Sequence, residues 1–297
     1  MPAKINLSLG VGPVREDGFH DARTVYQAVS LYDDVIATPG SGFSVTATGD
    51  GASTLPSGDG NLAVRAARAL AQHTGVDSGV SLALIKGIPV AGGMAGGSAD
   101  AAGALVGCDA LWQTACDRST LATLAAELGS DVPFSLHGGT ALGTGRGDQL
   151  TPVLSQGTYH WVLALAAGTL ATPAVYAELD RLRAAGKVGD DPADPAPVLA
   201  ALRAGDPAAL GKALRNDLQP AALSLRPQLR RVLDAAEDLG ALGALVSGSG
   251  PTCAFLVRNE TESVRVAAAL PGLGLCRTVR RASGPVSGPR LLGPDGI

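Results

Sequence analysis

The segment from Pro89 to Ala102 constrains this chain more than any other, because four of the six residues at 92–97 are glycine and a helix-forming run follows. Glycine lets backbone N–H groups turn inward and lets a bulky anion approach without a Cβ in the way. A helix predicted to begin near Ser98 adds free N–H groups and the positive end of its dipole. The pattern favours a cradle for nucleotide phosphates. The alternative is a flexible glycine loop that only feeds a helix N-terminus.

The glycine-rich segment matches none of the common nucleotide motifs. The Gly-Lys-Ser/Thr of a P-loop does not follow it, and the spacing of its glycines differs from a dinucleotide fingerprint. The His-Arg-Asp and Asp-Phe-Gly sets of protein kinases are also missing from the sequence. If this segment binds phosphate, it does so in another fold.

The length of 297 residues is typical of two domains, and the texture of the sequence changes near residue 155. We therefore expect domains at 1–155 and 156–297, with an α+β second half in which helices pack on an antiparallel sheet. Periodicity predicts strands at 5–11, 24–32, 43–47, 80–85, 139–143, 161–166, 244–246, 253–257 and 275–281. It predicts helices at 62–73, 98–112, 120–128, 173–183, 197–204, 206–215, 226–239 and 261–270, an exposed linker at 185–197 and a fraying tail from Ser283.

Charge and composition disfavour several classes of partner. The net charge is −4 without a basic block, which argues against nucleic acid. The longest apolar run, at 161–175, is interrupted by Gly168 and Pro173 and is too short for a bilayer. The four cysteines lack metal-ligand spacing, and no signal-peptide pattern is visible. We expect a reduced, cytoplasmic protein with no metal site of its own, in which Cys108, Cys253 and Cys276 are buried.

Asp131 is the candidate proton acceptor of the first half. It follows the helix-ending Gly129 and precedes Pro133 by two residues. It could accept a proton from a substrate hydroxyl, or it could cap a short turn that begins at Val132 and Pro133. The residues alone favour the cap.

Lys4 and Asn6 share one face of the first predicted strand, while Ile5 and Leu7 point into the core. Two polar groups on one strand face are either solvated or line a cleft.

Two further segments each allow two interpretations. Phe19 and His20, after the Gly18 turn, form either a surface edge or an aromatic and imidazole platform for a base. The loop at 247–252 is either a hairpin turn or a second set of backbone donors for phosphate.

Taken together, these segments resemble the GHMP small-molecule kinases, the superfamily of galactokinase, homoserine kinase, mevalonate kinase and phosphomevalonate kinase. The glycine loop and the 247–252 loop mark the superfamily. The segments 2–7, 17–20 and 129–133 mark its cytidine-diphosphate branch, and the resemblance covers essentially the whole chain. It implies a two-domain α+β fold with an S5-like, ATP-binding first domain and a ferredoxin-like, substrate-binding second domain. It also implies ATP-dependent phosphorylation of the 2-hydroxyl of 4-diphosphocytidyl-2-C-methyl-D-erythritol, in non-mevalonate isoprenoid precursor synthesis.

The resemblance also assigns roles to particular residues. Asp131 is the expected catalytic base and Lys4 its cationic partner. The residues expected around ATP are Asn61, Leu62, Lys86, Pro89, Val90, Ala91, Gly92, Gly93, Met94, Ala95, Gly96, Gly97, Ser98 and Ala99. Those expected around the acceptor are Asn6, Phe19, His20, Thr172, Tyr176, Ser247, Gly248, Ser249 and Gly250. Mg²⁺ is expected to arrive with ATP and to keep several waters, since the sequence offers no dedicated carboxylate cage.

The chain departs from the family pattern at two places. Phe19 stands where the family usually has tyrosine, so a phenolic hydrogen bond is lost. The family also has several residues of strand before the position of Lys4, so either the first strand is short here or the start of the chain is misassigned. Two other functions stay open: a sister kinase for homoserine or mevalonate, and an inactive relative that only binds a metabolite. Phe19, His20 and Tyr176 speak against the first, and the presence of both Lys4 and Asp131 speaks against the second.

Overall fold

The computed structural model describes residues 1–90 and 92–292. Its strands are β1 (Pro2–Val14), β2 (His20–Tyr32), β3 (Asp34–Gly40), β4 (Phe43–Gly49), β5 (Gly79–Lys86), β6 (Thr140–Thr144), β7 (Gln149–Pro152), β8 (Tyr159–Leu165), β9 (Arg215–Asn216), β10 (Gly243–Val246), β11 (Thr252–Val257) and β12 (Thr278–Gly284). Its α-helices are α1 (Leu62–Thr74), α2 (Gly96–Trp112), α3 (Arg118–Leu128), α4 (Val132–His137), α5 (Thr172–Ala184), α6 (Ala196–Ala204), α7 (Pro207–Ala213), α8 (Gln219–Leu225), α9 (Gln228–Asp238) and α10 (Glu260–Ala269).

The strands of the described residues form three sheets. A five-stranded sheet has the order β7-β6-β2-β1-β9, a four-stranded sheet β10-β11-β8-β12, and a three-stranded sheet β3-β5-β4. β1 pairs antiparallel with β2 and parallel with the two-residue β9, which comes from the second half of the chain. This pairing ties the two halves of the sequence together.

The alternation of apolar side chains in β8 explains how the sheets stack. Trp161 and Leu163 contribute to a core shared with Ile5 and Leu7 of β1, while Val162 contributes to a second core beneath α5, α8, α9 and α10. A strand buried on both faces reads as a continuous apolar run, which is the pattern of this segment. The polar end of Trp161 is satisfied, because its Nε1–H donates a hydrogen bond of 3.1 Å to Gln27 Oε1.

Residues of the three-stranded sheet pack against α1, α2 and α3 in a separate core. Val80, Leu82 and Leu84 of β5 point inward at a spacing of two and meet small side chains of α1 and α2. Asn61 caps α1 as the sequence predicts, since its Oδ1 accepts a hydrogen bond of 2.9 Å from the Ala63 N–H. Gly75 ends this helix in the left-handed conformation.

Most predicted elements are confirmed, with boundary shifts of a few residues. β1 is longer than the predicted strand at 5–11, so the expected short first strand is wrong. α2 begins at Gly96 rather than near Ser98. β3 was not predicted because Thr38, Pro39 and Gly40 at its end resemble a loop. The short elements β7, β9, α4 and α8 were also missed.

Two segments expected to be loose are held by hydrogen bonds. The tail does not fray at Ser283, because β12 continues to Gly284 and the Val286 N–H donates a hydrogen bond of 3.1 Å to Ala28 O. The 185–197 segment is irregular as predicted, yet Asp217 Oδ2 accepts a hydrogen bond of 3.0 Å from the Ala193 N–H. In both cases the two hydrogen-bonded residues lie far apart in sequence, so no local sequence pattern predicts the bond.

The cysteines are free thiols, and none pairs with another. Cys108 and Cys253 are buried as predicted, whereas Cys276 is only partly buried. Burial raises the pKa of both Cys108 and Cys253 to about 12, which keeps these thiols protonated and unreactive. Across residues 1–90 and 92–292, the structure contains no helix with the length and apolarity that a membrane crossing requires.

A buried charge cluster lies between β5, the β2–β3 junction and α2. The ammonium of Lys86 contacts the carboxylates of Asp33 and Asp100, and all three side chains are at most 3% exposed. Asp33 Oδ1 also accepts hydrogen bonds of 2.8 Å from the N–H groups of Gly87 and Ile88. Burial raises the pKa of Asp100 to about 7, an effect that the Lys86 charge opposes. The cluster thus joins α2 to the strand that precedes the glycine segment.

Replacing Lys86 by methionine removes the cation from this cluster and leaves two buried carboxylates side by side. We expect Lys86→Met to lower the free energy of unfolding by about 3–5 kcal/mol, the usual cost of breaking a buried ion pair. Urea denaturation followed by circular dichroism measures this loss.

The matched control is Arg265→Met, which breaks the exposed pair with Glu262, where the closest atoms are 2.6 Å apart. That variant should change stability by less than about 1 kcal/mol. Equal losses in the two variants would contradict a structural role for the buried cluster.

Candidate active site

Elements from both halves of the chain surround a cavity of about 310 Å³. β1, β2, the start of α2, α5 and the loop after β10 all contribute to its wall. Twelve residues that the sequence singled out line it: Lys4, Asn6, Gly92, Gly93, Ala95, Gly96, Gly97, Asp131, Thr172, Tyr176, Gly248 and Ser249. The fold therefore brings four separate sequence motifs to one place: residues 2–7, 92–97, 129–133 and 247–252.

Lys4 is a cation held almost out of solvent by specific partners. Its side chain is 7% exposed, and its ammonium donates a hydrogen bond of 2.8 Å to Asn6 Oδ1. The Nζ atom also lies 3.6 Å from Asp131 Oδ2 and 5.3 Å from the centre of the Tyr26 ring. Lys4 and Asn6 share a strand face, as predicted, and this face lines the cavity rather than bulk solvent. The solvated-face alternative is therefore wrong.

The orientation of Asn6 is fixed by its own neighbours. Its Nδ2 donates a hydrogen bond of 2.7 Å to Thr24 Oγ1 on β2, and that hydroxyl donates one of 2.8 Å to the carbonyl of Ser8. Because Nδ2 is held by Thr24, the amide oxygen must face Lys4. The two strands thereby fix the direction of the ammonium.

Asp131 occupies the N-cap position of α4, but its carboxylate makes no capping hydrogen bond. Instead, Oδ1 accepts a hydrogen bond of 3.2 Å from the hydroxyl of Tyr26, and Oδ2 faces Lys4. The side chain is 32% exposed and lines the cavity. The helix-cap interpretation is thus wrong for this side chain, which is held toward the cavity by partners from β1 and β2.

Tyr26 stays a hydrogen-bond donor at this site. Burial raises its pKa well above the ordinary value, and the nearby charge of Asp131 adds to the shift. The phenol is therefore protonated at neutral pH. Its ring stacks on Phe134 of α4 at a centroid distance of 4.8 Å, which fixes the direction of the hydroxyl toward Asp131.

The glycine loop, residues 92–97, is held against β1 and the 247–252 loop. The Lys4 N–H donates a hydrogen bond of 3.2 Å to Met94 O, and Ser247 Oγ donates one of 3.2 Å to Gly93 O. Gly93 has a φ of +74°, and a Cβ there would lie 2.6 Å from the carbonyl oxygen of Ser247. Only glycine fits at this position.

The first turn of α2 opens onto the cavity at Gly96 and Gly97. Its N-cap residue, Ala95, provides no side-chain capping hydrogen bond, and the first N–H groups of a helix have no intrahelical partner, so they can bind a ligand. The side chains of Met94 and Ala99 are buried in the core, which leaves their backbone as the part that can face an anion. Ala91, which the sequence also placed here, lies outside the described residues.

Of the residues expected around ATP, those placed at the adenosine are Asn61, Leu62, Lys86 and Pro89, and none of the four is among those that line this cavity. The side chain of Asn61 caps α1, and Lys86 is occupied by the buried charge cluster. Pro89 is buried, while Leu62 and Val90 are partly exposed. The structure thus leaves the ammonium of Lys86 unavailable to a nucleotide, and the adenosine contacts stay a prediction.

The 247–252 loop meets the glycine loop from the second half of the chain. The hydroxyls of Thr172 and Ser249 are hydrogen-bonded at 2.9 Å, which joins the start of α5 to this loop. Asn216 of β9 also holds this loop, because its Nδ2 donates hydrogen bonds of 2.7 and 2.8 Å to Val246 O and Gly248 O. The loop is thus tied to the cavity wall, which a simple hairpin turn does not require.

Phe19 and His20 adjoin the cavity without being among its lining residues. The ring of Phe19 is exposed, and the guanidinium of Arg146 lies 5.1 Å from its centre. The His20 side chain is buried, with Nε2 at 2.9 Å from Asp180 Oδ1. Its ring centre is 5.0 Å from that of Tyr176, which does line the cavity. The two aromatic segments expected around a base are therefore neighbours in the fold.

Sequence reasoning missed Tyr26 and Arg146, which also line the cavity. Tyr26 lies two residues after Thr24 and is paired with Asn6 across β1 and β2. The alternation of side chains along β2 could therefore have predicted that Tyr26 faces the same side as Asn6. Arg146 lies in a Gly-Arg-Gly turn between β6 and β7 that has no local sign of a binding role.

Comparison with protein families gives two matches. The model described as "GHMP kinases N terminal domain" matches residues 61–139, which include α1, α2 and Asp131. The model described as "GHMP kinases C terminal" matches residues 198–274, which include the 247–252 loop. Both matches contain segments of the cavity wall.

Individual relatives agree with these matches over nearly the full length. A 4-diphosphocytidyl-2-C-methyl-D-erythritol kinase from Nocardia farcinica is 57% identical, over 99% of this chain and 95% of the relative. One from Salinispora tropica is 56% identical, over 98% and 93%.

Solved structures show the same fold. A crystal structure of 4-(cytidine 5'-diphospho)-2C-methyl-D-erythritol kinase superposes with a TM-score of 0.78 at 33% identity, covering 95% of this chain and 97% of that one. L. major mevalonate kinase shares the fold at 15% identity, with a TM-score of 0.74 and coverage of 97% and 95%. The chain belongs to the GHMP kinases and, within them, to the 4-diphosphocytidyl-2-C-methyl-D-erythritol kinase family.

Proposed function

We propose that this protein transfers the γ-phosphoryl group of ATP to the 2-hydroxyl of 4-diphosphocytidyl-2-C-methyl-D-erythritol, a step in non-mevalonate isoprenoid precursor synthesis. The observation that carries the proposal is the Lys4–Asp131 pair, which lies in one cavity with the glycine loop and the start of α2. Phosphoryl transfer needs a positioned hydroxyl, a proton acceptor and stabilisation of phosphate charge. The names of the relatives supply the acceptor.

Asp131 is the proposed proton acceptor. Its carboxylate is partly exposed to the cavity and is held from behind by Tyr26 and Lys4, so it can reach a hydroxyl without losing its orientation. As the proton leaves, negative charge grows on the acceptor oxygen. The ammonium of Lys4 is the group that would offset this charge, and Asn6 fixes its direction.

ATP is proposed to bind with its phosphates on the glycine loop and the first turn of α2. Gly96 and Gly97 would present backbone N–H groups, and the helix dipole would favour the negative charge. Asn61, Leu62, Lys86 and Pro89 are proposed to flank the adenosine, with Lys86 contributing only through its backbone.

The donor set of the cavity fits a magnesium ion that is carried by the nucleotide. The described residues contain no group of three or more His, Cys, Asp or Glu side chains suited to a metal, and the one carboxylate in the described lining, Asp131, faces Lys4. Mg²⁺ on the ATP phosphates would neutralise part of their charge and keep waters as its remaining ligands. Asp131 would then keep its carboxylate for the proton.

The acceptor is proposed to lie across the second half of the wall. The rings of Tyr176 and His20 are neighbours and are suited to bind a cytosine. Phe19, which precedes His20 in the sequence, has an exposed ring. Asn6, Thr172 and the 247–250 residues would position the polyol and cover it. On this proposal residues 1–155 form the ATP-binding domain and residues 156–297 the substrate domain, and Asn6, Phe19 and His20 of the first domain also contact the acceptor. The free thiols of the described chain suit the reducing cytoplasm as the place of the reaction.

The acceptor assay tests the proposed function. We expect the purified protein with Mg-ATP to phosphorylate 4-diphosphocytidyl-2-C-methyl-D-erythritol, and to act very poorly on uncytidylated methylerythritol phosphate, mevalonate or homoserine. The measurement is a coupled ADP-release assay, with mass spectrometry of the product. Efficient turnover of mevalonate or homoserine would indicate a sister kinase, and binding without turnover would indicate an inactive relative.

Asp131→Asn keeps the shape of the side chain but cannot accept the proton. We expect kcat to fall by about 10²–10⁴, with the affinity for ATP close to that of the wild type. Steady-state kinetics and calorimetry with an ATP analogue measure the two quantities.

The control is Asp117→Asn, because Asp117 does cap a helix and accepts a hydrogen bond of 2.8 Å from the Thr120 N–H. Because asparagine caps a helix about as well as aspartate, that variant should keep both its stability and its kcat. If Asp131→Asn behaves in the same way, Asp131 is only structural.

Gly97→Val tests the phosphate cradle with little disturbance of the protein. Among the described residues, a Cβ at Gly97 would meet no atom within 4 Å, whereas one at Gly96 would lie 3.2 Å from Ile88 Cγ2 and strain the core. The new side chain would point into the space proposed for phosphate and displace at least one charged hydrogen bond. We expect ATP affinity to fall about ten- to a hundredfold by calorimetry, with unchanged melting temperature.

The control is Gly42→Val, at another open glycine outside the cavity. It should leave ATP affinity unchanged. Wild-type affinity in Gly97→Val would mean that the loop is only a connector.

A further inference from the structure

Arg146 has no role in the mechanism above, yet it lines the cavity. It lies in the turn between β6 and β7, and its side chain is 37% exposed. Among the described residues, the side chains of the lining include two cations, Lys4 and Arg146. Lys4 is already assigned to the acceptor hydroxyl beside Asp131, so Arg146 is the lining cation that has no proposed role.

The position of the Arg146 guanidinium is set by two contacts. Its central carbon lies 5.1 Å from the centre of the Phe19 ring, and one amino group lies 3.6 Å from Asp148 Oδ2. The backbone N–H of Arg146 donates a hydrogen bond of 3.1 Å to Asp148 Oδ1, which stabilises the turn. A guanidinium has five N–H donors, and an ion pair at 3.6 Å is longer than a hydrogen bond. The group is therefore oriented but not saturated.

Arg146 connects the two ends of the proposed acceptor site. Phe19, under its guanidinium, precedes His20, whose ring packs beside Tyr176 at the proposed base end. The cavity that Arg146 lines also contains Lys4 and Asp131 at the proposed hydroxyl end. In the acceptor named for the relatives, a diphosphate joins the cytidine to the polyol. The group that passes between the two ends is thus a doubly charged anion.

We propose that Arg146 binds the diphosphate of the acceptor and so selects for a nucleoside diphosphate, an inference that rests on the proposed function. A planar guanidinium matches phosphate oxygens with paired donors and remains charged at every physiological pH. Phe19 then has a second task, since one face of its ring carries the guanidinium. A phenylalanine suffices for that task, because the stacking contact needs no hydroxyl.

Binding of CDP and of cytidine separates the diphosphate from the base. We expect the wild type, with a non-hydrolysable ATP analogue filling the ATP site, to bind CDP more tightly than cytidine by calorimetry. Arg146→Gln should weaken CDP binding about ten- to a hundredfold and leave cytidine binding unchanged. Arg146→Lys should restore part of the loss, and added salt should reduce the wild-type preference for CDP.

Arg15→Gln is the matched control. Arg15 is 40% exposed, pairs with Asp17 and Asp21, and has a backbone N–H that bonds to Phe19 O, but it is not among the lining residues. This variant should bind CDP as the wild type does. Equal weakening in both variants, or equal loss of CDP and cytidine binding in Arg146→Gln, would overturn the assignment.

Turnover distinguishes this inference from the proposed function. In the acceptor assay, Arg146→Gln should raise the acceptor KM about ten- to a hundredfold, with kcat and the KM for ATP unchanged. A wild type that turns over the acceptor, with an Arg146→Gln variant of the same acceptor KM, refutes only the role of Arg146. A wild type that binds CDP through Arg146 but does not phosphorylate the acceptor refutes the proposed reaction and keeps the diphosphate site.

Discussion

Burial of the Lys4 ammonium is the constraint on which the site depends. A lysine with a side chain that is 7% exposed is tolerated in a strand only when other groups replace the water that it has lost. Asn6 supplies an oxygen from the same strand, Tyr26 supplies a ring face from the next strand, and Asp131 supplies the compensating charge from the start of α4. Each of these groups is fixed in turn by satisfying the cation. The requirement for a partner thus becomes a means of holding a carboxylate at the cavity.

The same strand also positions the glycine loop. The Lys4 side chain points into the cavity, while its backbone N–H bonds to Met94 in the glycine loop. On the far side of that loop, α2 is joined through Asp100 and Lys86 to the strand that precedes it. The glycine loop therefore has one attachment to β1, one to the 247–252 loop and one indirect attachment through α2. A loop of this flexibility needs such anchors if its N–H groups are to be preorganised.

Local patterns predicted those parts of the site that depend on neighbours in sequence. Strand alternation placed Lys4 and Asn6 on one face, and the glycine content of residues 92–97 marked a place where backbone must lie open. The function of Asp131 could not be read in this way, because a capping aspartate has the same local sequence and the decisive partners, Lys4 and Tyr26, lie more than a hundred residues earlier. The family resemblance, not the periodicity, is the source of the proposed role of proton acceptor.

The elements that sequence reasoning missed have a common physical reason. β9 is two residues long and exists only because β1 offers a free edge, so no pattern of its own could mark it. The tail from Ser283 has the composition of a disordered segment, yet its backbone pairs with Ala28. Arg146 is conspicuous only once Phe19 is known to lie beneath it. In each case the contacting partner is distant in sequence, and the local composition alone predicts a loop or turn with no such contact.

The two proposed substrates would be held by different kinds of group, and this difference governs what each subsite tolerates. The phosphates of ATP would meet backbone N–H groups, whose positions depend on loop shape and not on side-chain identity. The side chains of Met94 and Ala99 are buried in the core and do not face the phosphates. Substitution of either residue would therefore affect the phosphate subsite only by shifting the backbone. The acceptor would instead meet Lys4, Asp131, Tyr176 and Arg146, each a side chain with its own chemistry. Backbone N–H groups bind any phosphate of suitable shape, whereas selection of one acceptor substrate over another requires side chains. A family built on this fold can therefore change its acceptor by substitution on one wall of the cavity while the glycine loop stays as it is.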